Sequence, residues 1–319
     1  MLSDGHILVI SNTWVGEQMA GPGIRYFHLA RVLSQEFPVI LAAPGHHKKD
    51  RLIEDASLEV ASYSIEQPEM LKPYIQQARA ILAPALMVSW LLQIDTTPPP
   101  LIVDGYAPWA VEALFLPGIE EKELQKNLTK AYLAGDFFIC ASERQRDWWL
   151  GILSALGRVN SHNLCEDPSL RRLVDVVPFG LPTERPQTSR PVIKGIWPGV
   201  SKDDKIILWG GGLWRWMDPF TAIRAMERVY LSRRDVRLLF LGIRSTRLEG
   251  FPTLEGEATR MAQESGLLGQ VVFFGEWVPY ADWPGVLLES DVAITLHPDT
   301  LEARLAFRSR VMDYIWAGI

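Results

Sequence analysis

Hydrophobic positions along this chain come in two alternating patterns. Short continuous apolar runs are separated by longer stretches whose apolar residues recur at helical spacing, the signature of parallel β/α units. "HILVIS" reads as a buried strand, and "GIRYFHLARVLSQE" as a helix with Ile24, Phe27, Leu29, Val32 and Leu33 on its apolar stripe. Strands are expected at "PVILAAP", "LEVASYS", "AILAPA", "PLIVDGY", "DFFICAS" and "LVDVVPFGLP". Helices are expected at "EMLKPYIQQA", "ELQKNLTKAYLAG" and "ERQRDWWLGILSALG".

The stretch "LPTERPQTSRPVIKGIWPGVSKDD" is rich in Pro, Ser, Thr and Gly and has no helical period, so it reads as a linker. A second alternating series follows it. Strands are expected at "KIILWGGG", "VRLLFLGI", "VVFFGEWV" and "DVAITLH", and helices at "DPFTAIRAMERVYLSR", "LEGEATRMAQESGLLG", "ADWPGVLLES" and "FRSRVMDYIWAG". The expected fold is α/β: two doubly wound domains, 1–185 and 186–319, with ligands at the carboxyl ends of the strands.

Composition narrows the field. The chain has 319 residues, enough for two cores, and is 48% hydrophobic and 22% charged, an ordinary globular balance. A net charge of −6 with no long basic run gives no reason to expect nucleic acid. Cys140 and Cys165 are too few for a disulfide framework or a metal knuckle, which suits a cytoplasmic protein with reduced thiols. The N-terminus lacks a signal-peptide pattern, and no apolar run reaches the roughly 20 residues of a membrane span.

Several strand ends carry candidate chemistry. In "MAGPGIRYFHLAR", Gly21 and Gly23 open a helix whose first turn holds Arg25, where a cation opposes the helix dipole. A diphosphate would remove that conflict; a βα turn with a surface arginine is the plainer alternative. In "WGGGLWRWMDP", Gly211 and Gly212 form a loop that a ligand can approach closely. Arg215 there lies between two tryptophans that can stack on a ring. Neither loop is GxGxxG or a Walker motif. Asp104 and Tyr106 end one strand, and Gly275, Glu276 and Trp277 end another. The richest stretch is "TLHPDTLEARLAFRSRVMDY", with His297, Glu302, Arg308, Arg310 and Asp313. Arg308 can pair with Glu302 or Asp313 as a structural ion pair. Yet so many charges among Phe307, Val311 and Tyr314 are costly to bury without partners or a ligand.

Taken in order, "ILVIS", "SERQRDWW", "VVPFGL", "LWGGG", "LLFLG", "VVFFGEWVP", "ESDVAITLH" and "RVMDYIWAG" resemble the group 1 (family 4) glycosyltransferases of glycosyltransferase-B fold. The resemblance implies two Rossmann-like domains facing across a cleft, and a metal-independent, retaining transfer of sugar from a nucleotide-diphosphate donor without a cofactor. It implies an acceptor sugar or lipid-linked glycan, with peripheral membrane contact in cell-surface polysaccharide or glycolipid synthesis. Asp313 matches the family's second acid, on the donor ribose. The usual spacing for the first acid falls on Leu305, and Glu302 is the nearest carboxylate. The implied catalytic group is Glu302, Arg215 and Arg308. The donor would meet Gly21, Gly23, Arg25, Gly211, Gly212, Trp277, His297 and Asp313, and the acceptor Asp104 and Tyr106. Members of the family usually continue beyond "WAG", so the resemblance also implies a truncated second domain. An epimerase on the same fold and a non-catalytic nucleotide- or sugar-binding module are the alternatives.

Overall fold

The computed structural model describes residues 5–45, 52, 58–95, 97–244 and 252–319. The chain parts into two units. The first comprises Met1–Leu114, Gly118–Phe179 and Leu305–Phe307; the second comprises Phe115–Pro117, Gly180–Arg304 and Arg308–Ile319.

In the first unit, seven strands make one sheet: β1 (His6–Ile10), β2 (Val39–Pro44), β3 (Glu59–Tyr63), β4 (Ala78–Pro84), β5 (Leu101–Asp104), β6 (Phe137–Cys140) and β7 (Val174–Val176). The order is β3-β2-β1-β4-β5-β6-β7 and every pairing is parallel. Strand order therefore reverses between β1 and β4, as in a doubly wound Rossmann-like sheet. Buried residues from these strands, including Leu8, Ile10, Ile81, Val103 and Phe138, pack with Trp149 and Leu153 in one core.

The helices of this unit are α1 (Gly21–Leu33), α2 (Lys72–Gln77), α3 (Ala85–Ile94), α4 (Trp109–Glu112), α5 (Glu121–Ala134), α6 (Glu143–Ala155) and α7 (Ser161–Glu166). The sequence pattern misplaces the buried stripe of α1. Gly23, Arg25, Tyr26, Phe27 and Ala30 face inward, while Val32 is exposed. The apolar moment is blurred because an arginine occupies the inner face. The sequence reading also passes over α3. Its core-facing Ala85, Met87, Val88 and Leu91 are accompanied by apolar residues on the other faces, so the segment shows no period.

The second unit repeats the plan in smaller form. Its strands are β8 (Lys205–Gly210), β9 (Val236–Arg244), β10 (Val272–Glu276) and β11 (Val292–Ala293). They run parallel in the order β10-β9-β8-β11, so order reverses between β8 and β11. The helices are α8 (Pro219–Ser232), α9 (Glu255–Glu264), α10 (Trp283–Leu288), α11 (Leu301–Leu305) and α12 (Ser309–Ala317). Ile206, Leu208, Leu239, Leu241, Val286, Leu287 and Tyr314 form its core. Part of the expected linker belongs to that core, since Ile193 and Val200 are buried in it. Glu289 holds the segment by accepting from the backbone N–H groups of Val192, Ile193 and Lys194. The strand expected over "DVAITLH" shrinks to two residues, because the chain leaves the ladder after Ala293.

Candidate functional site

The carboxyl ends of β8 and β11 and the start of α12 bring together the charges of the final stretch. After β8, the backbone turns at Gly211 with φ +94°, a conformation that disfavours any side chain. A Cβ there would also lie 3.3 Å from Nη2 of Arg310. Arg310, in the first turn of α12, donates from Nη2 to the carbonyl of Gly212 at 3.2 Å. Its guanidinium carbon lies 5.7 Å from the centroid of the Trp209 ring, a cation–π contact. Nη1 of Arg310 is shut off from solvent with no hydrogen-bond partner among the described residues, as is Nε of Arg308.

The two arginines differ in how their charge is answered. Arg308 donates from Nη1 and Nη2 to the two oxygens of Glu302, at 2.8 and 2.6 Å. Glu302 is fully buried on α11. Arg310 has no carboxylate in ion-pair contact among the described residues. Burial pulls its pKa below the usual range; Tyr314 and Asp313 offset part of this and the charge of Arg308 adds to it. No acidic residue stands in the first turn of α12 and no side chain caps it, although the Val311 N–H donates to the Arg308 carbonyl at 3.0 Å. A helix N-terminus, a glycine turn and a guanidinium without a counter-ion together favour an anion.

Asp313 lies one turn further along α12. Its Oδ2 accepts from Nε1 of Trp283 at 3.0 Å. Burial raises its pKa to about 6, against the lowering effects of Trp283 and Arg310. Its neighbour Tyr314 is buried, with its hydroxyl between the backbone of β8 and β11.

Other residues picked out in the sequence lie elsewhere. Arg215 reaches Glu257 of α9 at 3.4 Å, beside the stacked pair Trp214 and Trp216. Trp277 follows β10 and is half-buried, and His297 follows β11 and is exposed. Neither makes a hydrogen bond, ion pair or ring contact with the Arg308–Arg310 group among the described residues.

In the first unit, Arg25 donates from Nε to Asp104 Oδ2 at 2.6 Å and from Nη2 to Asp104 Oδ1 at 3.1 Å. Nη2 also donates to the carbonyl of Val177 at 2.9 Å. The side chains of Arg25 and Asp104 are 1% and 0% exposed. The rings of Tyr106 and Phe179 lie 5.2 and 5.0 Å from the guanidinium carbon. Burial opposes the charge on Arg25, and Asp104 outweighs it, so the pKa is raised. The anion that a cation in this helix turn calls for is therefore Asp104. Neither the arginine nor the aspartate is open to a donor or an acceptor. Gly21 is the first residue of α1, and a Cβ on Gly23 would come 2.3 Å from the carbonyl oxygen of Trp14, so Gly23 serves close packing of the loop.

Nothing in the pattern of residues singles out Gln145. Its Oε1 accepts from the N–H of Ala141 at 2.7 Å. Its Nε2 donates to the carbonyls of Tyr106 and Leu305, at 2.7 and 2.9 Å. Phe307 stacks on Phe179 at 5.5 Å in the same unit. Tyr314 was likewise hidden within an apolar run.

No family model and no curated protein sequence matches the chain. Solved structures do. HepE of Anabaena in complex with UDP and glucose matches with a TM-score of 0.66 at 13% identity, over 98% of this chain and 79% of that one. A putative UDP-N-acetylglucosamine 2-epimerase from Listeria monocytogenes matches with a TM-score of 0.52 at 13% identity, over 90% and 73%. An alpha-glucosyltransferase in complex with UDP matches with a TM-score of 0.51 at 10% identity, over 98% and 78%. At these identities the likeness is one of fold: two Rossmann-like units of the glycosyltransferase-B type. Among the described residues no helix is long and apolar enough to cross a membrane, and no group of three or more His, Cys, Asp or Glu could hold a metal ion.

Proposed function

We propose that this chain is a glycosyltransferase that binds a nucleoside-diphosphate sugar in its second unit. The observation that carries the reading is Arg310, a cation with Nη1 unpaired and closed to solvent, set beside the Gly211–Gly212 turn at the head of α12. A diphosphate supplies the counter-charge and accepts from those donors. Arg308 lends a second guanidinium, and Glu302 acts through it by fixing its plane rather than by touching the sugar. As the bond from the anomeric carbon to the diphosphate oxygen breaks, negative charge grows on the leaving group, where these fixed donors stabilise it. Asp313 accepts from the ribose hydroxyls. The acceptor is a sugar or a lipid-linked glycan, and the setting is cytoplasmic, where the free thiols of Cys140 and Cys165 stay reduced. The fold likeness to proteins solved with UDP supports a uridine nucleotide as the first donor to try.

The test is a calorimetric titration with UDP-, GDP- and ADP-sugars, followed by product analysis with a labelled donor and candidate acceptors. Label on an acceptor supports transfer. A donor epimerised at its sugar marks the epimerase alternative. Binding without any turnover marks a binding module.

A further inference from the structure

Tyr314 occupies an unusual place in the second sheet. β8 and β11 pair in register, with Ile207 opposite Val292 and Leu208 opposite Ala293. The ladder continues one rung further, where Ile294 N–H donates to the Leu208 carbonyl at 2.9 Å. In a parallel ladder the next rung would run from Gly210 N–H to the Ile294 carbonyl. Instead, Gly210 N–H donates to the Tyr314 hydroxyl at 3.0 Å, and that hydroxyl donates to the Ile294 carbonyl at 3.3 Å. A side chain from α12 has been inserted into the rung. On its other edge β8 stays paired, with Gly211 N–H donating to the Leu241 carbonyl at 2.7 Å. Beyond the fork, Asp218 N–H donates to the Leu296 carbonyl at 2.9 Å. The fork therefore opens at the point where strand order reverses and closes again at the base of α8.

We propose that Tyr314 is a positioning residue: its hydroxyl is a spacer that holds β8 and β11 apart, so that the Gly210–Gly212 backbone stands where a diphosphate can lie between it and Arg310. Gly210 is buried and Ile294 half-buried, so both backbone groups need a partner. Without the hydroxyl they satisfy each other directly, at the ordinary 2.9 Å or so of a ladder bond. That shift draws the glycine turn toward β11 and away from its setting under Arg310. Tyr314 touches no ligand itself; it acts through the backbone it spaces. The packing agrees, since a Cβ on Gly210 would lie 3.3 Å from the Tyr314 hydroxyl and 2.7 Å from the Trp283 ring, so this strand end is wedged from two sides.

This inference rests on the diphosphate reading, and the test separates the two. Tyr314→Phe keeps the ring in the core and removes only the spacer. Its crystal structure without ligand should show Gly210 N and the Ile294 carbonyl in direct hydrogen-bond contact, with an unchanged or higher Tm. UDP affinity should fall about tenfold or more, on the scale of one well-placed hydrogen bond lost. An unchanged fork in the variant overturns the spacer. A closed fork with wild-type UDP affinity overturns the positioning role. If the wild-type protein binds neither UDP nor inorganic pyrophosphate, the diphosphate reading and the positioning role fail together, and the ligand-free structure still decides the spacer.

Discussion

Arg25 and Asp104 meet through two hydrogen bonds, at 2.6 and 3.1 Å, where neither side chain reaches solvent. The pair joins the first turn of α1 to the end of β5, and the Val177 carbonyl beyond β7 accepts from the same guanidinium. The bond spans elements distant in sequence, so it ties the carboxyl end of the first sheet together. Desolvating two charges uses up most of their attraction, so the pair contributes little net stability compared with a well-packed apolar pair. Breaking it is another matter. Arg25→Met alone should destabilise the first unit by about 3–5 kcal/mol, because Asp104 is left as a buried unpaired charge. Arg25→Met with Asp104→Leu should recover much of that loss. Urea unfolding of the two variants gives the comparison. Equal losses would mean that the charge pairing is not what the single variant breaks.

Arg310 presents the opposite case, a half-buried cation with no carboxylate in ion-pair contact among the described residues. Arg310→Met should leave the ligand-free protein equally stable or raise its Tm, since an unanswered charge is removed. It should also weaken binding of UDP or pyrophosphate by about 1.5–3 kcal/mol, the range for a hydrogen bond to a charged group. Thermal unfolding and calorimetry read the two effects separately. A large fall in Tm with unchanged affinity would give Arg310 a structural role only.

Much of the second site was visible in the sequence because its residues lie close together along the chain. Glu302, Arg308, Arg310 and Asp313 lie within 299–313, and an excess of charge in an apolar segment is a local signal. The repeated β/α alternation was also legible, since parallel strands buried on both faces are continuous apolar runs. What the sequence did not reveal is how charges pair at a distance. Arg25 looked like a free cation because its partner Asp104 arrives from another strand. Leu305 and Phe307 fell in the first unit for a similar reason: Gln145 and Phe179, far earlier in the chain, hold them. The β8–β11 fork was invisible because a tyrosine in an apolar helix reads as core, and only its hydroxyl gives it a second task.

Glu302 offers a test of support against chemistry. Both its oxygens accept from Arg308, and it is fully buried. Glu302→Ala should destabilise the second unit by about 3–5 kcal/mol, because it strands the Arg308 charge. Glu302→Ala with Arg308→Leu should regain stability but not donor binding. A Glu302→Ala protein of wild-type stability would show that the pair carries no structural load.

Asp313 makes a pH-dependent prediction whose sign is fixed by its surroundings. Burial raises its pKa from 3.8 to about 6, so the folded protein holds this proton more tightly than the unfolded chain does. As pH rises from about 4 to about 6, the unfolded state ionises first and the ligand-free protein loses stability. A shift of this size corresponds to at most about 3 kcal/mol, less where water reaches the carboxylate. Asp313→Asn should therefore raise the Tm at pH 7 while changing little at pH 4. Donor binding follows the same titration in reverse. Ribose hydroxyls donate to the ionised carboxylate, so binding favours the charged form and must expel a proton below pH 6. Affinity for a UDP-sugar should rise from pH 5 to pH 7 and then level off. A UDP-sugar is the better probe than UDP, because its esterified diphosphate has no proton to lose in this range. In Asp313→Asn the rise should vanish and affinity at pH 7 should fall by about 1–3 kcal/mol, as for a lost hydrogen bond to a charged group. Calorimetry in two buffers of different ionisation enthalpy would count the proton released at pH 5.5. A flat profile in the wild type, with no proton released, would remove Asp313 from the ribose and leave it as the partner of Trp283 alone.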